Sequence, residues 1–415
     1  MSKLWRRVKH RFDPDQVTTI SPREEPAEAG DLSPETIEAI WSSVQSYYRL
    51  GLQPGMSLSL RRRGKVVLER SIGHSRGNGP ADPDDAPLVP TTPDSLFNLF
   101  SGSKSITGML ALKACEMGCV DLDEPVVTYL PELKGKDRDT ITLRQVLSHR
   151  AGLHLAHPQT TNLDVLHDSE MMLEALQEAV PTGTPGASLA YQAVNGGFLI
   201  QALLERQTGQ PFRQLLRQWI TEPMNLNFTY GVASNQTQAV AREYAMGPPS
   251  LPPFNRQLIK ALDADLDGIV AMANDARFLT GIVPSGNVIG TANEFSAFFE
   301  CLLRRGQHGR RRIFQESTVR AAVMEQNVAE IDKIILLPIR YGLGFMLGSP
   351  LMGLYGAKTP KAFGHLGFTN ILCWADPERD ISVALLNNGK PFLTPELLVW
   401  LNIPRTISAR IPRDS

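Results

Sequence analysis

Residues 96–107 of the chain read Leu-Phe-Asn-Leu-Phe-Ser-Gly-Ser-Lys-Ser-Ile-Thr. The pattern around and after this segment predicts a helix from Lys104 to Met117. A spacing of three residues places Ser101 and Lys104 on one face, one turn apart. A serine hydroxyl is a weak nucleophile until a base takes its proton, and a desolvated lysine with a lowered pKa can be that base. The segment therefore predicts a nucleophilic serine at a helix start, although a Ser-x-x-Lys tetrad also arises by chance in a chain of this length.

The composition is that of an ordinary globular protein. Of the 415 residues, 42% are hydrophobic and 20% are charged, and 42 Lys and Arg residues face 43 Asp and Glu residues, for a net charge of −1. This balance argues against a nucleic-acid-binding protein, which would carry a basic excess. Four scattered cysteines cannot form a disulfide framework, and a chain this long needs neither disulfides nor a metal to fold. No cofactor is predicted.

The N-terminal segment allows two interpretations. Residues 1–14 are basic, and Leu4, Trp5, Val8 and Phe12 fall near helical spacing. Such a basic amphipathic segment can lie on an anionic membrane surface, and the alternative is a frayed, solvated leader. No apolar region of the signal-peptide type follows, and no apolar run is long enough to span a membrane. The sequence therefore predicts a cytoplasmic protein, with peripheral membrane contact through residues 1–14 left open.

Residues 15–33 contain two prolines and three glutamates and read as a linker. Ser33 followed by Pro34 suits an N-cap and the first position of a helix. We therefore expect the folded body to begin close to Ser33.

Two hairpins near opposite ends of the chain predict the sheet. Residues 56–61 and 65–72 flank a glycine turn, and residues 370–375 and 381–386 flank a second turn. Hairpins favour an antiparallel sheet over the strand–helix–strand alternation of a doubly wound fold. Because mostly helical sequence lies between them, we expect an α+β fold in which two terminal segments form one sheet around a helical insertion.

Several segments resemble the motifs of one family, and they occur in the same order as in that family. They are Ser101-Gly-Ser-Lys104, Gly118-Cys-Val-Asp-Leu-Asp-Glu-Pro125, Tyr129-Leu-Pro-Glu-Leu133, Ile141-Thr-Leu-Arg-Gln-Val-Leu-Ser-His-Arg-Ala-Gly-Leu153, Thr208-Gly-Gln-Pro-Phe212 and Glu222-Pro-Met-Asn-Leu226. The family is the serine β-lactamase and penicillin-binding-protein superfamily, in particular its esterase-type members related to class C β-lactamases. The resemblance runs from about residue 40 to residue 390. Each motif alone is weak, but the order and spacing together are specific.

The resemblance implies a β-lactamase/transpeptidase-like fold, with a central antiparallel sheet flanked by helices and a mostly helical second lobe. On this basis, residues 1–33 are a basic leader and linker, and residues 34–415 are one hydrolase domain. The α/β lobe is expected to comprise residues 34–115 and 286–405, and the helical and loop lobe residues 116–285.

The resemblance also implies the catalytic groups. Ser101 is the expected nucleophile, assisted by Lys104 and by Tyr191, which lies in a Tyr-Gln-Ala segment similar to the family's Tyr-His-Ala form. A phenol acts as a base only where cations lower its pKa, which we expect of Lys104. The β-lactamase form has an Asn two residues after the Tyr, where this chain has Ala193.

A third element of the family's site corresponds to His365-Leu-Gly367-Phe368, which resembles the Lys/His-x-Gly strand. The resemblance implies that the backbone N–H groups of Phe368 and Ser101 form an oxyanion hole, and that Gly367 lets an acyl substrate lie close to the strand. His365 in place of Lys weakens selection for a substrate carboxylate, because histidine is mostly neutral at pH 7.

A metal site is not predicted. His149, His154 and His157 lie close together in the sequence, but no Cys or acidic partner nearby completes a ligand set. The absence of a Gly-x-Ser-x-Gly motif argues against an α/β-hydrolase.

The sequence thus predicts a serine hydrolase that cleaves small-molecule carboxylic esters through an acyl-enzyme on Ser101. The acyl group is expected to be small to medium, in a pocket shaped by the Pro-, Met- and Phe-rich residues 225–285. Four alternatives stay open, namely a β-lactamase, a D-peptidase, an acyltransferase and a non-catalytic scaffold of the same fold.

Overall fold

Both ends of the chain contribute strands to one antiparallel sheet. The computed structural model describes residues 5–155, 161–249, 255–327, 330–392 and 394–414. The strands are β1 (Thr18–Ile20), β2 (Gly55–Arg62), β3 (Lys65–Arg76), β4 (Val89–Pro90), β5 (Phe97–Asn98), β6 (Thr229–Tyr230), β7 (Tyr244–Met246), β8 (Val288–Gly290), β9 (Gln307–His308), β10 (Arg311–Arg312), β11 (Met346–Leu347), β12 (Met352–Gly353), β13 (Gly356–Ala357), β14 (Phe363–Leu366), β15 (Leu372–Asp376), β16 (Ile381–Asn387) and β17 (Gly389–Pro391). Within these ranges the main sheet has eight strands, in the order β1-β3-β2-β16-β15-β14-β11, with β4 paired to β3. The predicted α+β fold with a central antiparallel sheet is confirmed.

Helices cover both faces of the sheet. They are α1 (Pro34–Tyr48), α2 (Ser103–Glu116), α3 (Leu143–Leu147), α4 (Ser169–Glu178), α5 (Asn195–Thr208), α6 (Phe212–Leu216), α7 (Glu222–Met224), α8 (Asn255–Leu262), α9 (Leu266–Ala273), α10 (Ala276–Thr280), α11 (Ala292–Leu303), α12 (Glu316–Val323) and α13 (Leu397–Arg410). Helices α1 and α13 pack together on one face, and α11 packs on β2, β15 and β16 from the other. Helices α3 to α10 make up a second, mostly helical region, as expected from the resemblance.

The central strand β16 shows why the sheet is covered on both sides. Ile381, Val383 and Leu385 belong to the apolar cluster formed with α1 and α13. Ala384 and Leu386 point the other way, into the larger cluster that contains α2 and α11. Successive side chains of a strand face opposite sides, so an unbroken apolar run is buried on both faces.

The local predictions are confirmed at both hairpins and at two helices. The N-terminal hairpin is β2–β3 and the C-terminal hairpin is β15–β16. The Ser33 hydroxyl accepts a hydrogen bond from the Thr36 N–H, and Pro34 is the first residue of α1. Helix α2 follows Ser101 directly and is buried on almost all sides, which makes it the centre of the larger cluster.

The described part of the N-terminal segment is not a frayed leader. Residues 5–13 contain no helix and lie against the body, where Arg6 exchanges backbone hydrogen bonds with Gly247 at 3.0 and 2.7 Å. The Phe12 ring contacts the ring of His74, with centroids 4.9 Å apart. Leu4 lies outside the described residues. Helical spacing of apolar residues did not produce a helix here: Val8 and Phe12 are half-buried, while Trp5 is exposed. A short isolated segment gains little from helix formation, and contacts with the body decide its conformation.

The segment read as a linker contributes to the main sheet. Strand β1 pairs with β3, with Thr18 opposite Ile72, so ordered structure begins before the predicted boundary at residue 34. A strand of three residues gives too short a pattern to be recognised in sequence. No helix in the described part of the chain is both long and apolar enough to cross a membrane. Membrane contact of residues 1–14 stays a prediction.

Candidate active site

Ser101 lies in a single helical turn, Phe100–Gly102, that leads directly into α2. Two contacts with β8 fix this turn: the Leu99 N–H donates to the Val288 carbonyl at 2.8 Å, and the Ser103 hydroxyl accepts from the Val288 N–H at 3.0 Å. Phe100 has a φ of 46°, in the left-handed region that non-glycine residues seldom adopt. The surrounding contacts therefore hold the backbone before the serine in a sparsely populated conformation.

Lys104 is buried beside Ser101, and its Nζ has three close contacts. It lies 3.2 Å from Ser101 Oγ, 2.9 Å from the Ala193 carbonyl oxygen and 3.1 Å from the Ser285 carbonyl oxygen. Burial lowers the pKa of the Lys104 ammonium to about 7. A neutral amine has two N–H groups and one lone pair. When the two N–H groups bind the carbonyls, which can only accept, the lone pair faces the Ser101 hydroxyl. This geometry suits a proton acceptor.

Tyr191 packs against Lys104 from the other side. Lys104 Nζ lies 4.9 Å from the centroid of the Tyr191 ring, and the Ser101 side chain is near enough to the Tyr191 hydroxyl to moderate its pKa. Burial nevertheless raises the pKa of Tyr191 well above its usual value. The direction of this shift is opposite to the sequence-based expectation that Lys104 lowers the Tyr191 pKa, because desolvation of the buried phenol is the largest effect. Tyr191 is a neutral phenol here, suited to donating a proton.

His365 lies on β14 and is neutral. Its Nδ1 lies 2.7 Å from the carbonyl oxygen of Leu366, which assigns the ring proton to Nδ1. Burial, with a smaller contribution from Lys104, lowers the pKa of His365 to about 3. The His365 and Tyr191 ring centroids are 6.2 Å apart. A neutral imidazole at this place offers no charge to a substrate carboxylate, as the sequence predicted.

Gly367 and Phe368 bring β14 next to the nucleophile. A Cβ at Gly367 would lie 2.6 Å from the carbonyl oxygen of Leu99. The glycine therefore allows two stretches of protein backbone to approach closely. The sequence had led us to expect that a substrate makes this close approach. The Phe368 and Phe100 rings are in contact, with centroids 5.6 Å apart. Within the described ranges, no acceptor contacts the Phe368 N–H. This N–H is free for the predicted role in an oxyanion hole.

An apolar cleft opens beside Ser101. It has about 690 Å³ of space, including its open mouth, and no charged side chain among its described lining residues. Ala193 and Phe368 flank Ser101 at one end, and the far end reaches helices α9 and α10. Its apolar lining includes Leu163, Leu166, Phe198, Ile269, Met272 and Phe278. The predicted pocket-forming region 225–285 thus supplies part of the lining, and its residues 250–254 lie outside the described residues.

Sequence reasoning missed Asp332. This fully buried carboxylate accepts hydrogen bonds from the backbone N–H groups of Tyr191 at 3.2 Å, Ile334 at 2.8 Å and Ile335 at 2.9 Å. Its other oxygen accepts from the Tyr341 hydroxyl at 3.2 Å. It therefore fixes the backbone that carries Tyr191. No motif marks this position, because the contact joins segments far apart in the sequence.

His149, which the sequence placed in a family loop, also supports Tyr191. Its Nδ1 accepts a hydrogen bond from the Gln192 N–H at 3.1 Å, and its ring lies 4.7 Å from that of Tyr191. Within the described ranges, no group of three or more His, Cys, Asp or Glu residues could hold a metal ion. His157 lies outside the described residues.

The structure therefore brings all of the predicted site residues to one place. Ser101, Lys104 and Tyr191 are in mutual contact, with His365 beside Tyr191 and Phe368 beside Phe100. A comparison with known families finds that the Beta-lactamase family model matches residues 44–403. The chain belongs to the β-lactamase family.

Relatives within the β-lactamase family include both esterases and β-lactamases. The chain is 27% identical over 318 residues to "Esterase/beta-lactamase LipL" of Mycobacterium tuberculosis, covering 74% of this chain and 72% of that protein. It is 33% identical over 195 residues to a "Beta-lactamase" of Escherichia coli, covering 47% of each chain. These matches support a serine hydrolase of the β-lactamase family.

Solved structures confirm the β-lactamase/transpeptidase-like fold. A penicillin-binding protein homologue from Caulobacter crescentus has a TM-score of 0.77 and 24% identity, covering 91% of this chain and 98% of its own. A family VIII carboxylesterase has a TM-score of 0.74 and 22% identity, covering 90% and 97%.

Proposed function

We propose that this chain is a carboxylesterase that cleaves neutral esters of small to medium acyl groups through an acyl-enzyme on Ser101. The observation that carries the proposal is the position of Lys104 Nζ, which lies 3.2 Å from Ser101 Oγ with two carbonyl oxygens as its other partners. An amine held in this way, with a pKa lowered to about 7, is half neutral at neutral pH and can activate the serine.

In the first step, the Ser101 Oγ–H bond breaks as Lys104 takes the proton and Oγ bonds to the ester carbonyl carbon. The carbonyl electron pair moves onto oxygen, and the N–H groups of Ser101 and Phe368 stabilise the resulting oxyanion. When the tetrahedral species collapses, the bond to the alcohol oxygen breaks. Tyr191 gives that oxygen its proton and regains one from Lys104, which returns to the neutral amine.

In the second step, water replaces the alcohol. Lys104 takes a proton from the attacking water, whose oxygen bonds to the acyl carbon. The ester bond to Ser101 then breaks, and the serine oxygen recovers a proton through the same pair of residues. The products are a carboxylic acid and the free enzyme. The same steps with an alcohol in place of water describe an acyltransferase.

The apolar cleft is assigned to the acyl group. The leaving alcohol must lie near the proton donor Tyr191, and Tyr191 does not belong to the described lining of the cleft. The other half of the ester therefore points into the cleft. A lining without charged side chains favours an uncharged aliphatic or aromatic acyl group.

Two further features support an ester over a β-lactam or a D-peptide. His365 is neutral and offers no cation to a substrate carboxylate, and Ala193 lacks the amide that β-lactamases place two residues after the Tyr. The relative named an esterase and β-lactamase, and the neighbour named a family VIII carboxylesterase, are in line with this choice.

The test compares wild type, Ser101→Ala and Ser105→Ala with p-nitrophenyl butyrate. Ser105 is a matched control, because it is a buried serine on the same helix whose hydroxyl has no hydrogen-bond partner among the described residues. We expect Ser101→Ala to lose at least about 10³-fold in kcat and Ser105→Ala to remain near wild type. Undiminished hydrolysis by Ser101→Ala would overturn the proposal.

Two added measurements separate the alternatives. Turnover of nitrocefin faster than that of the ester would favour a β-lactamase, and an ester product formed with added alcohol would favour an acyltransferase. Absence of fluorophosphonate labelling at Ser101 in folded wild type would favour a non-catalytic scaffold.

A further inference from the structure

A second buried lysine lies behind the nucleophile and has no part in the proton transfers described above. Lys390, on β17, is fully buried, and its Nζ lies 3.2 Å from Oε2 of Glu243, whose side chain is 2% exposed. The same Nζ donates to the backbone carbonyl of Asn387 at 2.7 Å and to its side-chain oxygen at 3.1 Å. Sequence reasoning did not single out this pair.

The Lys390 ammonium reaches one side of the expected oxyanion hole through Phe100. Its Nζ lies 5.0 Å from the centroid of the Phe100 ring, within the range of a cation–π contact. Phe100 directly precedes Ser101 and has the strained φ of 46°. Its ring also contacts that of Phe368. The cation therefore contacts the side chain of the residue that directly precedes Ser101.

A second route reaches the other side of the hole. The Asn387 side-chain NH₂ donates to the Asn370 carbonyl oxygen at 2.8 Å. Asn370 is fully buried and lies in the turn after β14 that also contains Phe368, which is closed by a hydrogen bond from the Gly367 N–H to the Ile371 carbonyl at 2.8 Å. Lys390 is thus connected to the backbone on both sides of Ser101.

The ion pair is a poor source of stability. Burial raises the pKa of Glu243 and lowers that of Lys390, so both charges are disfavoured by their surroundings. Apart from the ion pair itself, neither carboxylate oxygen of Glu243 has a hydrogen-bond partner among the described residues. A buried pair with so few supporting hydrogen bonds is often no more stabilising than apolar residues of the same size.

We propose that Lys390, held in place by Glu243, is a positioning residue that aligns the two N–H donors of the oxyanion hole. The inference rests on the proposed function only in that Ser101 is the nucleophile, whatever acyl substrate it takes. Misalignment of oxyanion donors weakens transition-state binding more than substrate binding, so the loss falls on kcat.

The test uses Lys390→Met, the double variant Lys390→Met/Glu243→Gln, and Phe100→Leu, which removes the ring and keeps both charges. The readouts are kcat and KM for p-nitrophenyl butyrate, the rate of inactivation by diethyl p-nitrophenyl phosphate, and Tm. We expect kcat and the inactivation rate to fall by about 10- to 100-fold in all three variants. KM should change by less than about threefold in the two variants at Lys390; Phe100 also lines the acyl cleft, so no KM criterion applies to Phe100→Leu. Lys390→Met leaves the Glu243 carboxylate buried without a partner, which lowers Tm. The double variant has no such charge, so its Tm should recover. Its kcat and inactivation rate should stay low.

A second Lys–Glu pair provides the matched control. Lys113 and Glu116 lie on α2 itself, with Nζ 2.5 Å from Oε1, and Lys113 also donates to the Ile313 carbonyl at 2.9 Å. We expect Lys113→Met/Glu116→Gln to change Tm without changing the inactivation rate. Wild-type rates in a folded Lys390→Met/Glu243→Gln variant would overturn the inference. If wild type itself does not react with the organophosphate, the nucleophile assignment fails, and the inference fails with it.

Discussion

Lys104 Nζ lies 3.2 Å from Ser101 Oγ. Burial lowers the pKa of this ammonium group to about 7. Tyr191, on the other side of the serine, has its pKa raised by burial. Burial thus lowers the pKa of the lysine and raises the pKa of the tyrosine, and each shift favours the neutral form of the group. This separation supports the proposal that the lysine accepts a proton and the phenol donates one.

The first prediction concerns the pH dependence of activity. Only the neutral amine accepts a proton, and burial lowers the pKa of Lys104 to about 7. We expect kcat/KM to be constant above about pH 8 and to fall below pH 7, approaching tenfold per pH unit. His365, with a pKa of about 3, should add no ionisation in that range. Initial rates with p-nitrophenyl butyrate between about pH 5 and pH 9 measure this, and a flat profile across pH 6–8 would contradict the assignment.

The second prediction concerns stability. The folded pKa of Lys104 is about 7, below its ordinary value of 10.5, so the unfolded chain binds more protons between these two values. Lys104 therefore makes the free energy of unfolding increase as the pH rises from about 7 to 10.5. We expect Lys104→Met, which has no ammonium to desolvate, to be inactive but more stable than wild type by ~2–4 kcal/mol at pH 7. Urea unfolding of both proteins should show that the difference in their free energies of unfolding becomes smaller toward pH 10. An equal difference at pH 7 and pH 10 would contradict the lowered pKa of Lys104.

The third prediction concerns Tyr191→Phe. A good leaving group such as p-nitrophenolate needs little protonation, whereas an alkoxide needs a proton donor. We therefore expect kcat to fall by about 10-fold for p-nitrophenyl butyrate and by about 10²- to 10³-fold for ethyl butyrate. Parallel assays with the two esters, which share an acyl group, isolate the leaving-group effect. Equal losses for the two esters would indicate that Tyr191 serves as the general base.

The fourth prediction concerns Asp332. Asp332→Ala removes the buried acceptor of three backbone N–H groups, those of Tyr191, Ile334 and Ile335. We expect a loss of ~1–3 kcal/mol in the free energy of unfolding and a lower kcat, because the Tyr191 backbone is released. Tyr341→Phe is the control, since it removes one hydrogen bond to Asp332 and leaves the three backbone contacts in place. A drop in kcat of the same size in the control would show that Asp332 does not act through Tyr191.

The fifth prediction concerns the acyl cleft. Gly286 lines the cleft, and a Cβ at this position would meet only a Val283 methyl at 3.4 Å, without striking backbone. We expect Gly286→Leu to retain p-nitrophenyl acetate hydrolysis within about twofold and to lose at least about tenfold with the octanoate. Met272→Ala, which enlarges the far end, should shift the preference toward longer chains. A loss for Gly286→Leu that is equal for acetate and octanoate would contradict the acyl assignment.

Features that depend on neighbouring residues were predicted well. The two hairpins and helix α2 were found because alternating or helical patterns and turn residues lie next to each other in the sequence. The proximity of Ser101 and Lys104 follows from three-residue spacing on a helix. Strand β1 and the bound conformation of residues 5–13 were not found, because pairing with distant segments, such as β3, determines them.

The sequence by itself determined the fold class and the family, and it predicted the residue types of the candidate site. Only the tertiary structure decided what state those residues adopt. The pKa of Lys104 depends on burial against carbonyl oxygens of Ala193 and Ser285, and the proton on Tyr191 is kept by burial. The Asp332 and Lys390 contacts likewise join segments that meet only in the folded chain. Desolvation and hydrogen bonding are properties of a residue's surroundings, and the surroundings are assembled by long-range packing.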